Sequence, residues 1–192
     1  MTTPVLIVPY DVQWPARAEV ELAELARVLS PLVLHADHIG STAVPGMAAK
    51  PVLDLQLSVR DLDEAAASFA PELAALGYQR HPFERDHVPA GDNSDPELWA
   101  KRYWRRRQHP AGDVNLHVRV AGSPNERLAL LFRDWLRAQP LAVAAYARFK
   151  AALADAVSRD LRVYTEVKDP VVDLVVVAAG RWAADSGWQP HG

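Results

Sequence analysis

The 192-residue chain contains no cysteine. Disulfide bonds, zinc sites with thiolate ligands and cysteine nucleophiles are therefore excluded. Long hydrophobic runs are also missing, because the longest one, VVDLVVVAAG at 171–180, is too short to span a bilayer and carries Asp173. The first fifteen residues have no basic segment, and Pro9 breaks their short apolar run. We therefore expect no signal peptide, a cytoplasmic location and no membrane partner.

A large excess of charge of one sign is missing as well. The chain has 21 basic and 24 acidic side chains, which give a net charge of −3. Proteins dedicated to nucleic-acid binding are usually strongly basic, so we expect no such role, although a local basic cleft is compatible with this balance. The length and the absence of an evident linker predict one domain over 1–192. The sequence has no pattern that indicates an oligomeric state.

The hydrophobic periodicity predicts an ordered alternation of helices and strands. Predicted helices cover 14–29, 62–76, 124–138, 140–158 and a last segment from Pro170, and predicted strands cover 32–40, 51–59, 78–83, 98–107 and 113–121. The last two strands form a hairpin around QHPAG, and the polar segment 84–97 is a predicted loop. This order favours an α+β fold, with helices on one face of a sheet core that extends to about residue 122 and a helical part from about residue 123.

The segment HIGSTAVPGMAAKPVLDLQL, residues 38–57, carries most of the chemical information. Gly40 and Ser41 follow a predicted strand, where a glycine lets backbone N–H groups approach an anion closely. Lys50 stands just before the next strand and is a candidate phosphate ligand. A Gly-Ser pair is also common in plain tight turns, and the dipeptide alone favours a tight turn that binds no phosphate. His38 either points into the same pocket or only fixes the turn.

The strand 51–59 places Asp54, Gln56 and Ser58 on one face, since side chains alternate along a strand. A carboxylate is a natural ligand of Mg²⁺, which uses one or two carboxylates together with phosphate oxygens. The alternative is that Asp54 is a hydrogen-bonded structural residue. In either case a carboxylate in such an apolar strand needs a partner.

These residues resemble the signature of the GrpB family, a group within the nucleotidyltransferase-fold superfamily. The segments VPYDVQWP, NLHVRV, LALLFRDWLRAQP and YTEVKDP resemble further GrpB blocks in the same order. The resemblance implies a nucleotidyltransferase-like fold, with a small mixed β-sheet, helices packed on it and a helical C-terminal part. GrpB-like domains also occur fused behind dephospho-coenzyme A kinase in some bacteria, but this chain contains no P-loop of the G-x-x-x-x-G-K-[ST] form.

The superfamily pattern implies a Gly-Ser turn, two acidic residues two positions apart and a third acidic residue on a neighbouring strand. Gly40-Ser41 and Asp54 match it, but the second acidic position is Gln56, and the third falls on Asn115 or His117. Asp54 and His117 are therefore the candidate catalytic and metal-binding pair. Histidine would favour Mn²⁺ or Zn²⁺ over Mg²⁺, and it is also common as a purely structural residue.

Basic side chains are concentrated in KRYWRRR at 101–107. On a strand, Arg102 and Arg105 lie on opposite faces and are the candidate phosphate ligands of their respective faces. The alternative is a charged, solvated edge strand.

Three further side chains are cleft candidates. Arg133 lies on an apolar helix face, where it either pairs with a carboxylate or reaches the pocket. Glu166 and Lys168 would share a face if YTEVKD were extended, and Lys168 would then reach the phosphate. A surface ion pair between the two is the simpler alternative, and such a pair contributes little to stability.

Two functions remain open from the sequence. The first is metal-dependent transfer of a nucleotidyl or phosphoryl group, with Mg²⁺ or Mn²⁺ as cofactor. The second is a non-catalytic module that binds a nucleotide or another small phosphorylated molecule, with a possible link to coenzyme A metabolism. Gln56 favours the second function, because two-metal phosphoryl transfer needs concentrated negative charge.

Overall fold

The computed structural model describes residues 6–157 and 160–191. Within these ranges the chain forms five α-helices, two 3₁₀ turns and a five-stranded sheet. In chain order the elements are α1 (Trp14–Val28), β1 (His35–Ile39), a 3₁₀ turn (Ser41–Ala43), β2 (Val52–Val59), α2 (Leu62–Ala75), β3 (Gln79–His81), a second 3₁₀ turn (Pro96–Trp99), β4 (Lys101–Arg106), β5 (Asp113–Val120), α3 (Pro124–Ala138), α4 (Pro140–Ala156) and α5 (Leu161–Ser186).

The sheet is mixed, with strand order β1-β2-β5-β4-β3. The central pair β2–β5 is parallel, and the other neighbouring strands are antiparallel. The predicted hairpin of β4 and β5 is confirmed, as is the α+β class with a mixed sheet. The register places Asp54 beside Asn115 and Gln56 beside His117, so that the candidate residues of the two central strands lie in adjacent rows.

The two faces of the sheet differ in polarity because side chains alternate along each strand. One face is apolar, and its side chains pack with α1 and α2 in the main hydrophobic core; its central members are Leu53, Leu55, Leu57, Val114, Leu116 and Val118. The opposite face carries polar side chains, which include Asp54, Gln56, Ser58, Asn115, His117, Arg119, Lys101 and Tyr103. A buried polar row of this kind needs hydrogen-bond partners, and the C-terminal helices cover this second face and supply several of them.

Three contacts fasten the C-terminal helices to the sheet. The buried hydroxyl of Ser58 donates to Glu126 of α3. Arg133 of α3 donates to the backbone oxygen of His38 at 3.2 Å and forms an ion pair with Asp37 at 3.3 Å. The prediction that helices lie on one face only is therefore incomplete, since α3 to α5 form a second helical layer over the polar face.

The prediction that the last helix begins at Pro170 is wrong. A single helix, α5, runs through Pro170, and the Asp160 side chain caps its first turn by accepting two backbone N–H groups. Glu166 and Lys168 therefore lie on a helix, where positions two apart face different directions. They do not share a face as an extended segment would require.

Other element boundaries differ by a few residues. The fourth strand begins at Lys101 and not at residue 98, because Asp95 accepts a hydrogen bond from the Glu97 N–H at 2.9 Å and starts a 3₁₀ turn before it. The predicted end of α4 at Ser158 lies outside the described residues. None of the described helices is both long and apolar enough to cross a membrane.

Candidate functional site

The turn after β1 brings Gly40 against Asp54 of β2. Gly40 has φ 69° and ψ −166°, a conformation that only glycine adopts without strain. A Cβ atom at this position would lie 2.6 Å from Asp54 Oδ2 and 2.9 Å from Asp54 Cβ. The glycine is therefore required both by the backbone conformation and by the close approach of the carboxylate.

Asp54 keeps its negative charge at this position. Its Oδ1 atom accepts a hydrogen bond of 2.6 Å from the Asn115 amide, and its side chain is 31% exposed. Burial acts to raise the pKa of Asp54, but the neighbouring His117 ring, the Asn115 amide and the Lys50 ammonium outweigh it and hold the pKa well below its usual range. An ionised, partly exposed carboxylate thus lies beside the Gly-Ser turn.

Lys150 of α4 is a site residue that the sequence analysis did not identify. Its side chain is buried, and its ammonium donates a hydrogen bond of 2.9 Å to the Ser41 hydroxyl. Lys50 and Lys168 lie close enough for their charges to lower the pKa of Lys150. We call Lys50, Lys150 and Lys168 the lysine cluster. Within the described ranges, none of its members forms an ion pair with a carboxylate.

Burial and mutual repulsion lower the pKa of two members of the lysine cluster, Lys150 and Lys50. Burial, followed by repulsion from Lys168 and Lys50, lowers the pKa of Lys150 to about 7, although Asp54 opposes the shift. Burial and repulsion from Lys168 also lower the pKa of Lys50, and Arg107 and Arg105 contribute. A bound anion would relieve this repulsion and restore the charged form of each amine.

Gln56 does not act as a substitute for the missing carboxylate. It is fully buried, and its side-chain oxygen accepts a hydrogen bond from the Arg119 guanidinium. Arg119 also pairs with Asp86 at 2.9 Å, and Lys101 pairs with the same carboxylate at 2.6 Å. Two cations therefore occupy the region that a second acidic residue would make negative.

His117 does not fit the role of a metal ligand in this arrangement. Its Nδ1 atom lies 3.4 Å from both the Lys101 ammonium and the Arg119 guanidinium, two groups that can only donate. These two donors favour the tautomer with its proton on Nε2, the ring atom that faces Asp54 Oδ1 at 3.9 Å. Burial and the charges of Lys101 and Arg119 lower the pKa of His117 to about 4, so the ring is neutral near pH 7. A metal ion would need a lone pair on Nε2 and not a proton.

No group of three or more histidine, aspartate or glutamate side chains with metal-binding geometry occurs in residues 6–157 and 160–191. The sequence-predicted pair Asp54 and His117 is brought together, but as a carboxylate beside a neutral imidazole. One carboxylate is still compatible with a single Mg²⁺ or Mn²⁺ ion that arrives with phosphate oxygens.

A cavity of about 280 Å³ lies between this polar face and the C-terminal helices. Gly40, Ser41, Asp54 and His117 line its sheet side, and Lys168 lines its helical side. Asp86, Asp169 and Asp173 also border the cavity. Asp86 and Asp173 are paired within the protein, whereas Asp169 forms no ion pair among the described residues. The lysine cluster therefore adjoins a partly open cavity, since Lys168 lines it and Lys150 bonds to the lining residue Ser41.

The structure separates the two arginine candidates. Arg102 lies on the opposite face of the sheet, where it pairs with Asp63 of α2, so it is not part of this site. Arg105 lies on the polar face, and its guanidinium is 5.7 Å from the Tyr103 ring. Its charge reaches Lys50. Arg105 is therefore a neighbour of the lysine cluster, although it does not line the cavity.

The other candidates have structural partners. His38 accepts from or donates to the Thr42 hydroxyl at 2.9 Å, a contact that fixes the turn. Asn115 donates to Asp54, and its own oxygen accepts from Tyr103 at 2.7 Å. Glu166 pairs with Arg162 at 2.8 Å on an exposed part of α5 and does not reach the cavity. Arg133 pairs with carboxylates, as one of its two predicted alternatives states.

One sequence signal could have indicated Lys150. The chain has 21 basic residues, but only four of them are lysines, at positions 50, 101, 150 and 168. A lysine is therefore unusual in this chain, and the apolar residues Phe149, Ala151 and Ala152 flank Lys150 in the sequence. Lys150 Nζ lies 5.1 Å from the Tyr146 ring, which gives its aliphatic stem and charge a place in the interior.

The protein is an α+β protein with a mixed sheet, a Gly-Ser turn and a C-terminal helical layer. Comparison with known proteins gives its family. Residues 4–177 match the family described as GrpB protein. The chain belongs to the GrpB family. The crystal structure of the conserved protein GrpB from Enterococcus faecalis is similar, with a TM-score of 0.72 and 26% sequence identity, over 91% of this chain and 96% of that one.

Several curated proteins are also similar to this chain in sequence. The UPF0157 protein BH1888 of Halalkalibacterium halodurans is 32% identical over 175 residues, which cover 91% of this chain and 82% of that protein. The dephospho-CoA kinase of Mycolicibacterium paratuberculosis is 38% identical over 200 residues, which cover 97% of this chain and 49% of that protein. The chain thus spans about half the length of the dephospho-CoA kinases that it matches.

Proposed function

We propose that the cavity binds a small phosphorylated molecule, such as a nucleotide or a phosphometabolite, and that its phosphate lies at the lysine cluster. The observation that carries this proposal is that three of the chain's four lysines lie near one another and near Ser41, and none of them forms an ion pair in the described residues. Asp54 is the one carboxylate whose charge favours the protonated forms of Lys50 and Lys150, so the cluster keeps an excess of positive charge, which is unfavourable where groups are buried. A dianionic phosphate would neutralise that excess.

Binding without a resident metal ion is the form of this function that the geometry supports best. Gln56 is held by Arg119, and the Nε2 proton of His117 faces Asp54. Both features place positive or neutral groups where a two-ion centre would need ligands. We therefore expect phosphate binding to require the lysine cluster and not the Asp54 carboxylate.

Metal-assisted transfer of a nucleotidyl or phosphoryl group is the second candidate function. Its support is the ionised and partly exposed carboxylate of Asp54, which borders the cavity next to Ser41. One carboxylate together with phosphate oxygens is a common environment for Mg²⁺. In this alternative the ion would be Mg²⁺ or Mn²⁺ that enters with the substrate.

Calorimetric titration separates the two functions. The probes are inorganic phosphate, pyrophosphate, common nucleotides and coenzyme A precursors, each with and without Mg²⁺ or Mn²⁺. Coenzyme A precursors are included because some relatives carry the name dephospho-CoA kinase. We expect binding without metal that survives in Asp54→Asn and is lost in Lys150→Met, while Arg148→Met, an exposed change on the same helix, retains it.

The opposite pattern would favour transfer. Metal-dependent binding that disappears in Asp54→Asn would support the second function and contradict the first. If no phosphorylated probe binds to the wild-type protein, both functions are wrong.

A further inference from the structure

A second cavity of about 570 Å³ adjoins the one that contains Asp54. The two spaces share part of their walls, and the residues that line both are Pro89, Trp99, Leu128, Asp173 and Val176. These shared residues come from the segment after β3, from α3 and from α5. The two cavities are therefore neighbours on either side of these residues, and we call the two together the cleft.

The polarity of the cleft changes along its length. Ser41 and Asp54 line the sheet side of the first cavity, and Lys168 of the lysine cluster lines the helical side of the same cavity. The wall of the first cavity that faces away from the sheet is mainly apolar, with Leu128, Phe132, Val172 and Val176. The lining of the second cavity continues this apolar wall with Pro124, Leu131 and Val177 among its members.

The second cavity offers no site for another phosphate group. Its charged lining residues are Arg127, Asp92 and Asp173. The Arg127 guanidinium lies 5.2 Å from the centre of the Trp188 ring. Asp173 already accepts hydrogen bonds from His87 and from the Ala90 backbone N–H. Among the described residues, the second cavity thus has no cluster of lysines like the one near Ser41, and its apolar wall would accept uncharged groups.

We propose that the second cavity binds the uncharged, apolar body of the same ligand whose phosphate lies at the lysine cluster. This inference rests on the function proposed above and specifies the class of ligand, which is a phosphate monoester of an elongated, largely apolar molecule. The first cavity, at about 280 Å³, is at the small end of the range of ligand sites. An elongated ligand would pass between Leu128 and Val176 to reach the second cavity.

Two phosphate monoesters test the inference on the full chain. Methyl phosphate probes the lysine cluster alone, and octyl phosphate, kept below its micellar concentration, adds an apolar chain. We expect octyl phosphate to bind the wild-type protein at least about tenfold more tightly, since each buried methylene group adds to the affinity. Equal affinities for the two esters would overturn the inference while the proposed function stands.

A pair of variants locates the binding of the apolar chain. Val177 lines the second cavity and is 58% exposed, so Val177→Glu places a charge there with little risk to folding. Leu174→Glu is the matched control, because Leu174 is 71% exposed on the same helix and lines neither cavity. We expect only Val177→Glu to remove the advantage of octyl phosphate, and we expect both variants to bind methyl phosphate like the wild type.

Two further outcomes would contradict the inference. An equal loss in the two variants would show that octyl phosphate binds elsewhere on α5 or responds only to the added charge. If neither ester binds to the wild-type protein, the proposed function fails, and the inference fails with it.

Discussion

Position 40 accepts only glycine without strain. Its backbone conformation is one that only glycine adopts readily, and Asp54 Oδ2 lies where a Cβ atom would need space. Gly46 offers a natural comparison, since it also has a positive φ, 77°, but has open space around the position of a Cβ atom. The two glycines therefore separate the effect of backbone strain from the effect of the contact.

We predict that Gly40→Ala lowers the free energy of unfolding by more than Gly46→Ala does. Both variants should lose about 1–3 kcal/mol through backbone strain, and only Gly40→Ala also displaces Asp54. Urea unfolding of both variants measures this difference. Equal losses would show that the contact between Gly40 and Asp54 contributes nothing to stability.

Lys150 links stability and ligand binding to pH. Its pKa falls from 10.5 to about 7 on folding, so between these values the unfolded chain holds a proton that the folded chain has released. Stability rises with pH wherever the unfolded state binds more protons. The destabilisation by Lys150 is therefore fully present below about pH 7 and fades as the pH rises toward 10.5.

We predict that the wild-type protein gains stability relative to Lys150→Met as the pH rises above about 7. The gain can reach about 1.4 kcal/mol for each pH unit, the maximum for one proton. Urea unfolding of both proteins at several pH values measures it. Arg148→Met, an exposed change on the same helix, should remain parallel to the wild type at every pH. A constant difference between wild type and Lys150→Met would contradict the prediction.

Phosphate binding should show the opposite pH dependence. Only the charged form of Lys150 attracts an anion, so we predict that the affinity of the wild-type protein for inorganic phosphate falls as the pH rises above about 7. Calorimetry in buffers with different ionisation enthalpies would also detect the proton that is taken up on binding. An affinity that is independent of pH would place the phosphate away from Lys150.

Single residues near one another in the sequence were the easier ones to predict. Gly40, Ser41 and Asp54 belong to one short segment, and the strand period places Asp54 toward the turn. Lys150 is 109 residues from Ser41, and no local pattern reports a contact over that distance. Arg102 and Arg105 alternate on one strand, and the sequence could not tell which face the cleft would occupy.

At the scale of elements, α5 holds the long segment between β3 and the second 3₁₀ turn. Asp173 accepts hydrogen bonds from the His87 ring at 3.1 Å and from the Ala90 backbone N–H at 3.0 Å. Pro89, between these two contacts, lines both cavities. The segment thus forms one wall of the cleft and is attached to α5 by one carboxylate.

We predict that Asp173→Ala loosens this segment with little effect on global stability. The lost contacts are partly exposed, and such contacts are worth about 1 kcal/mol or less. Hydrogen exchange should therefore accelerate at residues 87–92, while the melting temperature changes little. Asp185→Ala, an exposed change on the same helix, should alter neither quantity. Unchanged exchange in Asp173→Ala would show that other contacts hold the segment.

The elements themselves follow from local rules, except where tertiary packing overrides them. Proline normally begins or breaks a helix, so Pro170 was predicted to start the last one. In the structure the turns before it remain helical, because Tyr164 is buried against Leu153 and Ala154 of α4 and Asp160 caps the first turn. Burial of that aromatic side chain depends on α4, which the sequence of α5 alone does not contain.

At the scale of the whole molecule, the sheet and the C-terminal helices share one polar interior. Ser58 and Glu126, Asp37 and Arg133, and Ser41 and Lys150 join the two parts through side chains of low exposure. Removing the helices would leave buried polar groups of the sheet without partners, which is costly. The single domain over 1–192 thus remains a prediction that unfolding experiments can test.

We predict one cooperative unfolding transition for the whole chain. Far-ultraviolet circular dichroism reports mainly the helices, whereas tryptophan fluorescence includes Trp14 and Trp104 beside the sheet core. The two signals should give the same midpoint in urea. Separate midpoints would show that the helical part unfolds independently of the sheet.

The general architecture was accessible from sequence because it depends on polarity patterns. The α+β class and the β4–β5 hairpin follow from alternation and turn residues, and the resemblance to the GrpB family implies the mixed sheet. The second helical layer over the polar face was not predicted, because polar strand residues usually indicate solvent. Here Gln56, Ser58 and His117 face other protein groups, and the choice of those partners depends on the tertiary fold.

The lysine cluster also bears on how the native protein fluctuates. Below about pH 7, where Lys150 is charged, the repulsion between the three lysines favours any partial opening that separates them, and α4 and α5 carry two of the three. Regions with unfavourable local interactions open before the rest of a protein does. The ligand-free protein should therefore exchange the amide protons of these two helices sooner than those of β2 and β5, and a bound anion should slow that exchange. The structural order of α4 and α5 would thus depend on whether an anion is bound in the cleft.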